Sequence, residues 1–275
     1  MKIINLLALF LLPALLQAQI RITADQSPLP GNRFVYQITD VTNSLNPGVP
    51  GAGQNWDFTS FMPTSQEVIT ADTPENKPGR DSFPTANLVF TSNDGLSFSY
   101  ALATDTAFFS LGTFVNTGDS TTAFYTVLNP PRKEIAYPTE LGSSFQESLR
   151  EQRMLAEINP GSFLLSITET ALHSTADAEG MMHLPQGDFA VLRIKQQRSQ
   201  IDSTFLVDST GQQLINVITT ESLTYEWYSP EVSGPLVSLD MANTALDITS
   251  ISVLDLDSSQ LSDSTEVVVK APITA

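Results

Sequence analysis

Asn93-Asp94-Gly95-Leu96-Ser97-Phe98-Ser99-Tyr100 is the stretch on which the fold turns. Asn-Asp-Gly suits the positive-φ positions of a tight turn, and Leu96, Phe98 and Tyr100 then alternate with Ser97 and Ser99. That is the period-2 pattern of a strand with one buried face. The same reading extends outward. Runs at 106–115, 123–128, 162–172, 189–196, 205–207 and 214–228 are strands by composition, and turn signals at 116–119, Asn159-Pro160-Gly161, 177–180 and 208–211 separate them. The expectation is an all-β chain, folded as an antiparallel β-sandwich or open barrel built from meanders.

One stretch competes with that pattern. Ser144 and Glu147 make a capping box, and 146–158 is rich in helix formers. Asn159-Pro160-Gly161 leads straight into the next strand, however, which weighs towards a long strand. Residues 45–54, with Asn46-Pro47-Gly48 and Pro50-Gly51-Ala52-Gly53, read as an irregular exposed loop.

Residues 1–18 carry Lys2, an apolar run from Ile3 to Leu16 and a small residue, Ala18, at a cleavage position. This is the pattern of a secretory leader, and the run is too short for a spanning helix, which needs roughly 20 apolar residues. The expected organisation is a signal peptide at 1–18, an all-β domain at 19–240, and a C-terminal hairpin or tail at 241–275 within or beside it. Zero cysteines exclude disulfides, thiolate metal sites and a cysteine-linked lipid anchor. The net charge of −17 makes nucleic acid and anionic lipid poor partners. Arg193, Lys195 and Arg198 form the one dense basic patch, read as a solvated strand face.

Candidate ligands for metal fall in two places. His173 and His183 flank the 177–180 turn, so a hairpin there would set them opposite each other, with Glu169 or Asp188 as a carboxylate partner. Asp255, Asp257, Ser259, Asp263 and Glu266 occupy positions 1, 3, 5, 9 and 12 of a calcium loop, although Gln260 stands where the turn wants glycine. An acidic hairpin tip explains the same residues. The expected cofactor is none, with calcium the alternative that the sequence offers.

Eight of the 17 aspartates precede Ser or Thr, about twice what composition gives. Five continue with Ala or Thr, which makes Thr106, Ser120, Ser203, Ser209 and Ser264 candidate O-glycosylation acceptors; Asx turns account equally for the pattern. Among aromatics, Trp227 alternates with Thr224 and Glu226 as a core anchor would, whereas Trp56, beside the Gly-rich loop, is the candidate binding aromatic or a cap on the core. Nucleophile elbows, phosphate loops and dinucleotide fingerprints are absent from the sequence.

Four stretches carry a resemblance. Gly53-Gln54-Asn55-Trp56-Asp57-Phe58-Thr59-Ser60, Tyr137-Pro138-Thr139-Glu140-Leu141-Gly142-Ser143-Ser144-Phe145, a stretch from Ala178-Glu179-Gly180 through Leu184-Pro185-Gln186-Gly187-Asp188-Phe189 to Val191-Leu192-Arg193-Ile194-Lys195, and Tyr225-Glu226-Trp227-Tyr228-Ser229-Pro230 look like segments of uncharacterised secreted proteins of Bacteroidota type. In those proteins an all-β domain often precedes a C-terminal sorting domain. The resemblance implies export and a β fold, and no activity. It lapses after Leu239, where neither a Pro-Asn-Pro motif nor a basic tail follows.

The expected function is an exported, periplasmic or secreted, non-catalytic β-domain that binds an envelope or extracellular component. A carrier holding a lipid or other apolar ligand in a curved-sheet cavity is the first alternative, and a secreted hydrolase the second.

Overall fold

The computed structural model describes residues 19–39, 46–116, 124–242 and 247–259. The leader reading and the assignments to Ser120, Asp263, Ser264 and Glu266 lie outside these residues. The strands are β1 (Arg21–Ile22), β2 (Arg33–Thr39), β3 (Gly51–Asp57), β4 (Ser65–Asp72), β5 (Leu88–Ser92), β6 (Ser97–Ala103), β7 (Ala107–Val115) and β8 (Phe124–Ala136). They continue with β9 (Thr139–Glu140), β10 (Ser144–Asn159), β11 (Ser162–Leu184), β12 (Gly187–Asp208), β13 (Gly211–Tyr228), β14 (Pro235–Ala242) and β15 (Asp247–Leu254). The only helical pieces among the described residues are two single 3-10 turns, so the all-β expectation is met.

The turn at 93–95 closes the hairpin of β5 and β6 by the chemistry its residues offer. Asp94 Oδ1 accepts hydrogen bonds from the Leu96 amide at 2.9 Å and the Ser92 hydroxyl at 2.5 Å, and Gly95 takes a φ of 68°. Phe98 and Tyr100 then turn into the core, as their alternation requires.

Twelve strands form one sheet in the order β10-β11-β12-β13-β14-β15-β2-β4-β5-β6-β7-β8, and β3 pairs with β11 off this path. Apart from β3, every pairing is antiparallel. The sheet curls until its edge strands β8 and β10 come alongside without pairing as strands, an open barrel rather than a closed one. The Lys133 amide of β8 donates to Glu147 Oε2 of β10 at 2.8 Å, and Lys133 Nζ lies 3.6 Å from the other carboxylate oxygen. Glu147 therefore links the two edges instead of capping a helix, and 144–158 is strand. β15 lies between β14 and β2, which makes residues 247–254 part of the main sheet.

β3 corrects two sequence expectations. The supposed turn at 177–180 lies inside the continuous strand β11, where the register with β12 shifts between Ala176 and Ala178. Gly51–Asp57, its first four residues read as part of an irregular loop, runs parallel to β11 just beyond that bulge. The physical reason is Gly180. A Cβ there would lie 1.9 Å from the Gln54 carbonyl oxygen, so only glycine lets the two backbones approach.

The Arg193, Lys195 and Arg198 patch is likewise no solvated face. Arg193 is fully buried under residues 47–49, and its fork donates to Asp177 Oδ1 at 2.8 Å and Oδ2 at 3.0 Å. Its remaining donors reach the carbonyls of Pro47, Gly48 (3.2 Å) and Val49 (3.4 Å). The guanidinium carbon lies 4.8 Å from the Tyr225 ring centroid and 5.7 Å from that of Trp56. The largest buried cluster surrounds this pair and holds Phe34, Trp56, Phe58, Met182, Tyr225 and Trp227.

Candidate functional site

Antiparallel partners share a face of a sheet, so the register of β10 to β13 assigns rows. Ser174, Gln196 and Thr224 form one row, and Glu147, Leu172, Arg198 and Ser222 the next. Gln196 Nε2 donates to the Glu134 carbonyl of β8 at 3.2 Å, which places β8 across these rows and marks them as the inner, concave face. Even-numbered side chains from Ile194 to Asp202 therefore point into the curl.

At one end of that face is a cavity of about 220 Å³. Phe34, Tyr36, Phe90, Phe108, Tyr137 and Tyr228 form its walls, and Glu134 and Glu226 supply its carboxyls. Phe90 and Phe108 meet edge to face at 6.1 Å, and Phe34 stacks on Tyr36 at 6.4 Å. Ser27 donates to the Tyr137 hydroxyl at 3.0 Å. The Tyr228 hydroxyl donates to Glu226 Oε2 at 3.0 Å, and Gln196 Nε2 reaches the same oxygen at 3.4 Å. Arg132 holds Glu134, with Nε 2.7 Å and Nη2 2.6 Å from Oε1. Burial raises the Tyr36 and Tyr228 phenols, and the Glu226 charge pushes both further, so both stay donors.

Among the described residues, no cation is in contact with Glu226. Burial, together with the charges of Glu134 and Asp240, pushes its carboxyl from 4.5 up to about 7, against the Tyr228 hydrogen bond and Arg132. The folded-state value lies above the unfolded one, so the folded chain keeps a proton that the unfolded chain loses between these pH values. Stability from this group is therefore complete below about 4.5 and lost as pH rises through about 7. Glu226→Gln, which imitates the protonated form, should match wild type near pH 4.5 and exceed it at pH 8 by about 2 kcal/mol. Each tenfold change in proton affinity is worth about 1.4 kcal/mol, and solvent at this half-buried residue screens part of the total. Urea midpoints at the two pH values read the difference; an equal gap at both would remove the assignment.

The two histidines do not meet. Both lie on β11, ten residues apart, which at about 3.3 Å per residue is roughly 33 Å. Because 177–180 is no hairpin, His173 pairs with Gln146 and Gln197 and its Nε2 lies 3.2 Å from the Thr175 hydroxyl. His183 sits at the β11–β12 hairpin, 2.6 Å from Asp188 Oδ1 and in register with Asp57. Glu169 faces Arg150 instead. Among the described residues, no three of His, Asp and Glu gather as a metal would need.

Asp255 follows β15 and binds its own turn. Its Oδ1 accepts the Asp257 and Ser258 amides at 3.1 Å each, and Oδ2 accepts Gln37 Nε2 at 3.0 Å. Burial opposes ionisation, yet these hydrogen bonds outweigh it and hold the carboxyl below its ordinary value. Ser259 Oγ accepts the Val35 amide at 3.0 Å. The described part of the calcium pattern thus ties the chain to β2, while Asp257 is exposed.

Trp56, the candidate binding aromatic, is buried against Trp227 with its Nε1 donating to Pro47 O at 2.7 Å, so it caps the core. Of the glycosylation candidates, Thr106 and Ser209 are exposed in turns, and Ser203 stands mid-strand between Ile167 and Val217. Asp208 makes the Asx turn its sequence allows, accepting the Thr210 amide at 2.7 Å and hydroxyl at 2.5 Å. The sequence does not single out Glu226 or Glu134 and reads Arg198 only as part of a solvated face, since a carboxyl or guanidinium facing inward has the same period-2 signature as one facing water.

No family model matches this chain, and no curated protein matches it. Among solved structures, a protein of Parabacteroides distasonis described as a "putative lipoprotein" aligns over 83% of this chain and 96% of its own, at 12% identity and a TM-score of 0.35. A likeness at that level decides nothing further about this chain.

Proposed function

We propose that this chain is an exported, non-catalytic β-domain that takes the apolar part of an envelope or extracellular molecule into the aromatic cavity of its concave face. The leader-like residues 1–18 support export. No helix among the described residues is long and apolar enough to cross a membrane. The cavity itself carries the reading: aromatic walls with a few convergent polar groups are the chemistry of a small-ligand site. Its volume of about 220 Å³ falls below the roughly 300 Å³ at which drug-sized pockets begin, so it suits a ring or a short chain rather than a whole lipid.

Toluene tests this. Titrated into the full chain and followed by methyl NMR, it should shift the Ile69 and Ile135 resonances saturably, because both side chains line the cavity. Ile69→Trp, which fills the space, should abolish the response while the circular dichroism stays that of a β protein. Shifts spread evenly over the molecule, or an unaltered response in the filled variant, would overturn the reading.

A further inference from the structure

Further along β12 on the same concave face, a second cavity of about 270 Å³ opens between β8 and β10 to β12. Arg132, Arg150, Arg153 and Arg198 line it, against the carboxylates of Glu151 and Asp202. Arg150 turns to the other face, towards Glu169, so three of the 13 cationic residues of a chain with net charge −17, Arg132, Arg153 and Arg198, face this space. Gathering like charges is unfavourable unless something of opposite sign joins them.

The carboxylates nearby have partners other than Arg198, Glu151 being left to the charge of Arg153. Glu134 is held by Arg132, and Asp202 accepts the Thr168 hydroxyl at 2.5 Å and Gln200 Nε2 at 2.8 Å. Arg150 lies 3.7 Å from Glu169 at a well-exposed position. Arg198 is the exception. It is half-buried, it stands beside Arg132, and among the described residues it makes no hydrogen bond or ion pair. Burial, and next the Arg132 charge, depress its tendency to stay protonated, against the charges of Glu134, Asp240 and Glu226, none of which it contacts. Arg193, five residues earlier on the same strand, has its fork filled by a carboxylate and backbone carbonyls. A guanidinium carries five donors in a planar fork, and Arg198 leaves them without a protein acceptor.

We propose that this cavity binds an oxyanion, a carboxylate or phosphate group, clamped by the Arg198 fork with Arg132 and Arg153 as neighbouring cations. The hydroxyls of Ser166 and Thr170 line the same space and complete a polar site. Two parallel charge-assisted hydrogen bonds are the usual way a guanidinium holds such a group. The anion is either free or the head of an amphiphile. Arg198 does not line the aromatic cavity, so toluene binding there should persist in Arg198→Gln.

The test uses the full chain with inorganic phosphate, acetate and dodecyl phosphate. At least one should raise the thermal midpoint saturably, as a ligand of the folded state must, and should move the Arg198 Nε–H resonance. Arg198→Gln should weaken that binding tenfold or more, and Arg198→Lys should keep part of it, since charge survives without the fork. Without anion, Arg198→Gln should fold at least as stably as wild type, because it removes an unpaired charge. A response to phosphate marks a free anion; a response to dodecyl phosphate alone marks a head group. The proposal is overturned by a resonance unmoved by all three anions, by equal binding in wild type and Arg198→Gln, or by a variant destabilised without ligand.

Discussion

Arg193→Ala is expected to destabilise the fold by about 3–5 kcal/mol, the range for removing one member of a buried ion pair. Three effects act together. Asp177 is left largely buried without its cation, the carbonyls of residues 47–49 lose their shared donor, and the rings of Tyr225 and Trp56 lose the group stacked between them. Arg193→Lys should recover only a small part, since an ammonium cannot serve a bidentate carboxylate and three carbonyls from one position. Urea unfolding gives the magnitude. Limited proteolysis locates it, because cleavage should appear first within 46–57, the segment that Arg193 pins against β11. A variant within about 1 kcal/mol of wild type would show that the guanidinium is not the clasp of this segment.

Trp227 is the second position of large effect, and the contrast between two substitutions matters more than either alone. It is fully buried, with Trp56, Phe58 and Tyr225 ring centroids 5.8, 6.0 and 6.2 Å away. Trp227→Ala should therefore cost about 3–5 kcal/mol through lost burial and the cavity left behind. Its indole Nε1, however, is buried with no hydrogen-bond partner among the described residues. An unsatisfied buried donor carries a penalty of about 1–3 kcal/mol, which Trp227→Phe removes while keeping most of the ring. The phenylalanine variant should lose less than half of what the alanine variant loses. Equal losses in the two denaturation curves would contradict the packing described for this cluster.

Much of the fold was legible because it is written locally. The Asn93-Asp94-Gly95 and Asn159-Pro160-Gly161 turns carry their own conformational preference, and Phe98, Tyr100, Tyr225 and Trp227 show their burial through alternation. The reading of 144–158 as strand also rests on a local feature, the turn that follows it. Asp177 to Gly180 failed for an instructive reason. Small and polar residues mark either a reversal or a bulge with close backbone approach, and the partner that chooses between them, β3, lies more than a hundred residues earlier.

Period-2 alternation also says which residues share a face without saying what that face meets. Along β13, Leu214, Ile215, Val217 and Ile218 are about half exposed, because β14 pairs only from Ser222 onward and leaves the first half of the strand uncovered. The candidate sites show the same limit. Arg193 and Arg198 lie on one strand in one basic run, yet their odd spacing sends one under residues 47–49 to be fully paired and the other into the concave face, where among the described residues it has no hydrogen bond or ion pair.

The amino-acid sequence by itself determined that this is an all-β chain of short and long strands, where several of its hairpins turn and which aromatics anchor the core. Those properties depend on neighbours in the chain. Which charges are buried, that His173 and His183 stay apart, and that aromatic walls enclose Glu226 were decided by tertiary structure alone. Curling the sheet brings β8 over β12, and burial of a side chain is set by what covers it from elsewhere in the chain, a quantity no local pattern contains.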